Sequence, residues 1–208
     1  MAIRVQDSFT EVSPPVELSL HSPDVGGAWA GTGAFLSVVA GNVVQGESGS
    51  RYYINAGVAD AAVSVVVTVS AADGGNSGII VNWVDSSNHW VVFIGASGTT
   101  LYEMIEGLYY ERATNGAKWA NGDVATILCT TSGDSMAIAT TSVSGPSHPK
   151  TDTINYSPEG RNYQTATYHG LYVQSASTTL DDFLVEGEAP ILGNSRRIRL
   201  LGGVGNFL

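Results

Sequence analysis

Lysine is almost absent from this 208-residue chain, which holds only Lys118 and Lys150. Cysteine occurs once, as Cys129, which excludes an intramolecular disulfide and any thiolate metal cluster. Charged residues make up 13%, against about 25% in an average globular protein. With an apolar fraction of 43%, this scarcity does not signify disorder. No uninterrupted apolar run approaches the roughly 18–20 residues that cross a bilayer, so membrane insertion is not expected. The opening Met1-Ala2-Ile3-Arg4-Val5-Gln6-Asp7 lacks the apolar core of a secretory signal. His21, His89, His148 and His169 show no i, i+2 or i, i+4 pairing, which argues against a zinc site. His89 and His169 read as structural residues at strand ends.

Positive charge is scarce and unevenly placed. Residues 1–187 carry 18 acids and 6 bases, a net of −12, whereas Glu188 and three arginines give residues 188–208 a net of +2. A body at −12 repels a phosphate backbone, so nucleic acid is not an expected partner.

What the chain has in abundance is glycine (25), valine (23) and serine (22), in a length able to bury roughly 70% of its unfolded surface. The dominant period is two, that of strands. In Ala61–Ser70, Val63, Val65, Val67 and Val69 share one face, and Ser64, Thr68 and Ser70 share the other with Val66. After Asp73-Gly74-Gly75-Asn76 comes a run with Ile79, Val81 and Trp83 on one face, which predicts a core Trp83. Asp85-Ser86-Ser87-Asn88 and Gly95-Ala96-Ser97-Gly98 then turn the chain into further strands, as hairpin loops do. Ile127 and Cys129 share a face, as do Met136 and Ile138; Tyr168–Ser175 and Leu180–Val185 close the body. About a dozen short strands with Gly-rich turns predict an all-β sandwich or barrel, of which the large Gly- and Ser-rich form is the antiparallel jelly-roll β-sandwich. Residues 144–167, with Pro146, Pro149 and Pro158, read as a long surface excursion. Residues 188–208 read as a basic and apolar C-terminal extension.

Several segments resemble the concanavalin A-like lectin/glucanase jelly rolls, in particular the laminin-G-like modules of phage and bacterial proteins. They are Asp7-Ser8-Phe9-Thr10, Gly26-Gly27-Ala28-Trp29, Asn55-Ala56-Gly57-Val58-Ala59-Asp60, Asn76–Val81, Asn88-His89-Trp90, Ala120-Asn121-Gly122-Asp123, His169-Gly170-Leu171-Tyr172 and Leu180–Val185. The likeness covers about residues 5–187 and implies a fold that hosts lectins, hydrolases and inert structural parts alike.

Retaining glucanases of this fold place acids in a Glu-x-Asp-x-x-Glu pattern along one strand, and nothing here matches it. Glu103 and Glu106 fall on opposite faces, and Asp181 and Asp182 are adjacent. The chain is therefore not expected to be an enzyme. First and last strands often lie together in such modules, so Asp7 could approach Asp181 or Asp182. Hydrogen-bonded turn aspartates are the first reading, and the resemblance implies a structural calcium site at Asp7, Asp181 and Asp182 as the second, with no other cofactor. Sugar binding would use aromatic faces, and Tyr52, Tyr53, Tyr109, Tyr110 and Trp119 are the ligand-binding candidates, with Trp83, Trp90 and Tyr102 in the wider set. Exposed tyrosine suits a protein interface equally well.

In the tail, Arg196, Arg197 and Arg199 alternate with Ile198, Leu200 and Leu201, ahead of Val204, Phe207 and Leu208. A solvated terminus and an assembly arm are the two readings. As an arm, its arginines would meet acids while Leu200, Leu201 and Phe207 bury apolar surface on a neighbour. The first functional expectation is a non-enzymatic virion component, a phage capsid-decoration or minor tail protein located in the virion. Its partners would be other virion proteins and copies of itself, a trimer at a symmetry axis. The alternative is a carbohydrate-binding module for host surface glycans, and a glycoside hydrolase ranks last.

Overall fold

The computed structural model describes residues 1–11, 13–33, 35–41, 43–46, 48–70 and 76–188. The strands in chain order begin with β1 (Ala2–Asp7), β2 (Val16–Glu17), β3 (Ala30–Thr32), β4 (Leu36–Val39), β5 (Val43–Gly46) and β6 (Ser50–Asn55). Next come β7 (Ala61–Thr68), β8 (Ser77–Asp85), β9 (Asn88–Gly95), β10 (Gly98–Ile105) and β11 (Leu108–Asn115). The last are β12 (Val124–Ser132), β13 (Ser135–Ser144), β14 (Thr151–Tyr156), β15 (Tyr168–Val173) and β16 (Thr179–Gly187). Every pairing between them is antiparallel, in one nine-stranded and one seven-stranded sheet. The nine-stranded sheet runs β14-β13-β12-β7-β16-β5-β4-β2, with β1 also paired to β16. The seven-stranded sheet runs β11-β10-β9-β8-β15-β6-β3. This is the jelly-roll sandwich that the period-two pattern predicts.

The valine alternation builds the inner face directly. Val63, Val65 and Val67 are fully buried and Val69 nearly so, facing Ile79, Val92, Ile94 and Leu101 of the other sheet. Ile127, Cys129, Met136 and Ile138 fill the space beside them. Burying such side chains stabilises by about 1.5–3 kcal/mol each before entropy is counted.

Trp83 is buried as expected, 3% exposed, but not on the expected face. Asn82 adopts a left-handed backbone (φ 50°), and the pairing of β8 with β9 slips between Val81 and Asp85. The alternation restarts there, and Trp83 joins Ile80 on the outer face. The irregularity is held from three sides: Asn82 Nδ2 donates to the carbonyls of Ala59 (3.0 Å) and Ala166 (2.7 Å), and Arg161 Nη1 donates to Asn82 Oδ1 (2.6 Å). Asn82→Ala is expected to lower stability by roughly 3 kcal/mol in urea unfolding, because it strands a buried guanidinium donor and two half-buried carbonyls.

Arg161 belongs to the segment read from sequence as a surface excursion, and that reading is corrected. Residues 144–167 contain β14, which extends the nine-stranded sheet with Ile154 opposite Ile138 and turned into the core. Prolines and polar residues masked this strand. Arg161 then plugs the end of the sandwich, donating from Nε and Nη2 to the Gly133 carbonyl at 3.0 and 2.8 Å.

Candidate functional site

The outer face of the seven-stranded sheet carries a second apolar cluster where a solvated face would be polar. Period two puts Arg51 and Tyr53 of β6, Val91 and Phe93 of β9, Tyr102 of β10 and Tyr172 of β15 on this side. Ile80, Trp83, Val91, Phe93 and Tyr172 are buried here, with Tyr53 and Tyr102 half-buried against them. Two glycines in the middle strands make the ring contacts possible. Gly78 stands between Phe93 and Tyr172 in register, and with no side chain there the two rings meet at 4.9 Å. Gly170 stands between Tyr53 and Ile80, and Tyr53 reaches across to stack on Trp83 at 4.6 Å. A Cβ on Gly170 would lie 1.9 Å from the Tyr52 carbonyl oxygen, and one on Gly78 would lie 2.0 Å from that of Val92.

This face is concave. β6 and β11 are five strand spacings apart, about 24 Å on a flat sheet. Yet Arg51 Nη2 of β6 donates to the Tyr109 hydroxyl of β11 at 2.9 Å. Two side chains meeting over that span require the sheet to curl toward them. Arg51 also lies over the Tyr172 ring (4.5 Å) and donates to its hydroxyl at 3.3 Å. Within the trough, Phe93, Tyr102, Tyr109, Asn76 and Gln174 enclose a hollow of about 180 Å³. Three aromatic walls and two side-chain amides suit a sugar ring, whose C–H faces pack on rings while its hydroxyls take oriented hydrogen bonds. Burial, reinforced by the neighbouring Tyr172 hydroxyl, pushes the Tyr109 phenol well above its ordinary pKa, so it remains a neutral donor and acceptor.

At one end of the trough, His89 packs on Trp83 at 4.6 Å. Burial lowers its pKa to about 4, and the neutral ring bonds the Asp85 carbonyl through Nδ1 at 3.2 Å. His169 is likewise buried and neutral, with its pKa lowered to about 4. Its Nε2 donates to the Val58 carbonyl at 2.9 Å and its Nδ1 accepts from the Asn82 amide.

The aromatic candidates of the sequence divide. Tyr53, Tyr102 and Tyr109 are brought together in the trough. Tyr52 points into the core, 3% exposed, with its hydroxyl on Glu17. Trp119 is also core, 2% exposed, with its indole N–H on Thr99 and the Lys150 ammonium over its ring. Neither offers a face to a ligand, and both assignments are corrected. Tyr110 is exposed but turned to the opposite side of β11, beneath the Arg112 guanidinium. Phe93, Tyr172, Arg51, Asn76 and Gln174 were not singled out from the sequence. The signal was there, in aromatics at alternating positions on the face opposite Trp90, Leu101 and Leu171.

The carboxylates are committed elsewhere. β1 lies against β16, with Asp7 opposite Phe183. But the Asp7 carboxylate accepts from His21 Nε2 (2.8 Å), Trp29 Nε1 (2.7 Å) and the Phe9 amide (2.8 Å). Asp182 takes a left-handed backbone (φ 50°) where the register of β16 slips, and its amide bonds the Asp181 carboxylate. Burial, with the charges of Asp182 and Asp7, raises the pKa of Asp181. Among the described residues no group of three or more His, Cys, Asp or Glu is arranged to hold a metal ion, so Asp7, Asp181 and Asp182 do not gather as the resemblance implied. Glu103 borders a separate polar cleft of about 230 Å³ with Glu159. Both of its oxygens are engaged, Oε2 by Arg112 (2.7–2.8 Å) and Oε1 by Asn162 (2.6 Å). The proposed assembly residues Arg196, Arg197, Arg199, Leu200, Leu201 and Phe207 lie outside the described residues.

No protein-family model matches the chain, and no curated protein matches its sequence. Solved structures do match its shape. The carbohydrate-binding module CBM66 from Bacillus subtilis superposes with a TM-score of 0.61 at 14% identity, over 76% of this chain and 95% of that one. Lectin II from Ulex europaeus gives 0.52 at 12% identity, over 76% and 91%. Domain 4 of AbnA, a GH43 extracellular arabinanase from Geobacillus stearothermophilus solved with arabinotriose, gives 0.53 at 12% identity, over 88% and 91%. The chain thus has the concanavalin A-like jelly-roll fold of lectins and carbohydrate-binding modules, in agreement with the resemblance read from its sequence.

Proposed function

We propose that the protein is a non-catalytic carbohydrate-binding module whose ligand lies in the concave aromatic trough of the seven-stranded sheet. The observation that carries this reading is the hollow walled by Phe93, Tyr102 and Tyr109 and edged by the amides of Asn76 and Gln174. The fold's company of lectins and binding modules supports it. So does the engagement of Glu103 by Arg112 and Asn162, which leaves no free carboxylate pair at the polar cleft for glycoside hydrolysis.

A wider cavity of about 690 Å³, lined by Val58, Asp60, Thr131, Gln164 and Glu188 among others, has no aromatic wall on which a sugar could stack. The virion-component reading draws on the lack of a secretion-signal core, the single cysteine, the Gly-, Ser- and Val-rich body, the C-terminal extension and family analogy, and no observation on the described residues favours it. Saturable binding on a glycan array is the expected result, without release of reducing sugar on prolonged incubation. A protein that binds no glycan, or that cleaves the one it binds, contradicts the proposal.

A further inference from the structure

Arg51 is the feature of the trough that a neutral sugar does not explain. It is one of nine basic residues against 19 acidic ones, yet among the described residues no carboxylate pairs with it. The ion pairs among the described residues are made by His21, Arg112 and Lys150. Among the described residues Arg51 hydrogen-bonds from Nη2 to two tyrosine hydroxyls, and its Nε–H is buried without an acceptor. A half-buried guanidinium with free donors and no counter-ion is costly unless a ligand supplies one. Its plane is fixed by the Tyr172 ring beneath it and its Nη2 by the two tyrosine hydroxyls, so an anion would be met by the Nη1 donors. It bonds Tyr109, which is itself a wall of the hollow, so a ring seated there brings its substituents to the guanidinium.

Resting on the carbohydrate-binding reading, we infer that the trough selects sugars bearing an isolated negative substituent, a uronic-acid carboxylate or a sulfate ester, which docks on Arg51. The group is isolated because the body's net charge of −12 (18 acids, 6 bases) disfavours a dense polyanion. Screening beyond about 8 Å at physiological salt leaves a single contact charge free to bind.

The test is an array of matched glycans: neutral, uronic-acid-terminated, the methyl ester of each uronate, and sulfated. It is read with wild type, Arg51→Gln and Arg51→Lys. The expected result is roughly ten- to hundredfold tighter binding of the uronate or sulfate than of the neutral glycan. Methyl esterification abolishes this advantage, Arg51→Gln removes the difference between acid and neutral glycan whatever it does to neutral binding, and Arg51→Lys restores part of it. The ester comparison needs only the wild-type protein and stands even if Arg51→Gln does not fold. Equal affinity for acid and ester, or an acid preference that survives Arg51→Gln, overturns this inference and leaves carbohydrate binding standing. Binding to no glycan of any class overturns the carbohydrate reading and this inference with it.

Discussion

Asp7→Ala is expected to lower the folding free energy by about 3–5 kcal/mol, more than any other single polar substitution considered for this chain. The carboxylate is 1% exposed and satisfies three donors at once: the His21 ring, the Trp29 indole and the Phe9 amide. Truncation leaves all three in an apolar setting against Phe183, which packs on Trp29 at 5.1 Å. The same clasp carries a pH signature. His21 faces Asp7 through Nε2 and Glu11 through Nδ1 (2.6 Å), and both partners are acceptors, so both ring nitrogens must donate. Burial pushes the ring's pKa down. The hydrogen bonds and charges of Glu11 and Asp7 outweigh it and hold the value above the ordinary 6.5.

A pKa raised in the folded state gives stability that is complete below 6.5 and disappears as pH rises through the folded value. His89 and His169, with pKa values lowered to about 4, act in the opposite sense and cost stability as pH falls from 6.5 toward 4. The wild-type profile sums the two effects, so the His21 contribution is isolated by subtracting the profile of His21→Gln. The gap between them should be widest below pH 6.5 and narrow above it. A gap independent of pH would show that the ring is not held protonated.

The second large effect concerns binding. The double substitution Tyr102→Ala with Tyr109→Ala should weaken glycan binding by a hundredfold or more, since aromatic anchors at the centre of a site carry much of its affinity. Tyr109 is 40% exposed and Tyr102 half-buried above the sheet, so the fold should survive with a modest fall in Tm. Tyr110→Ala is the matched control. It removes a tyrosine of equal exposure from the adjacent position, but from the other face of β11, and should leave binding unchanged. Isothermal titration calorimetry with a ligand identified on the array measures all three.

These residues show what the sequence discloses and where it stops. Val63, Val65, Val67 and Ile127 declare the inner face because alternation with Ser64 and Thr68 is uninterrupted and one face must be buried. Trp83 misleads because Asn82 interrupts that alternation, and the cause, a hydrogen-bond clasp from Ala59, Ala166 and Arg161, comes from segments distant in the chain. β14 hides among prolines because pairing with β13 outweighs its weak local preference. For the site, Tyr109 was legible as an aromatic, but Arg51 was not legible as its neighbour, since they sit on β6 and β11 and meet only through curvature. Tyr52 and Trp119 look alike in sequence, but strand register turns Tyr52 inward, and bonds to Thr99 and the Gly95 carbonyl hold Trp119 in the core from the connection between β11 and β12. The Asp7–His21–Glu11 clasp was invisible for the same reason, because spacing along a loop does not fix which side chains converge.

The most direct test of the trough is a nuclear magnetic resonance titration of the isotope-labelled protein with an array-identified glycan. Shifts should concentrate on the Trp83 indole and the amides of β9, β10 and β15, with Asn76 and Gln174 side-chain amides among the largest. Shifts confined to Gly57–Asp60 and Thr130–Ser132 at the end of the sandwich, or to the Glu103 cleft, would contradict this account.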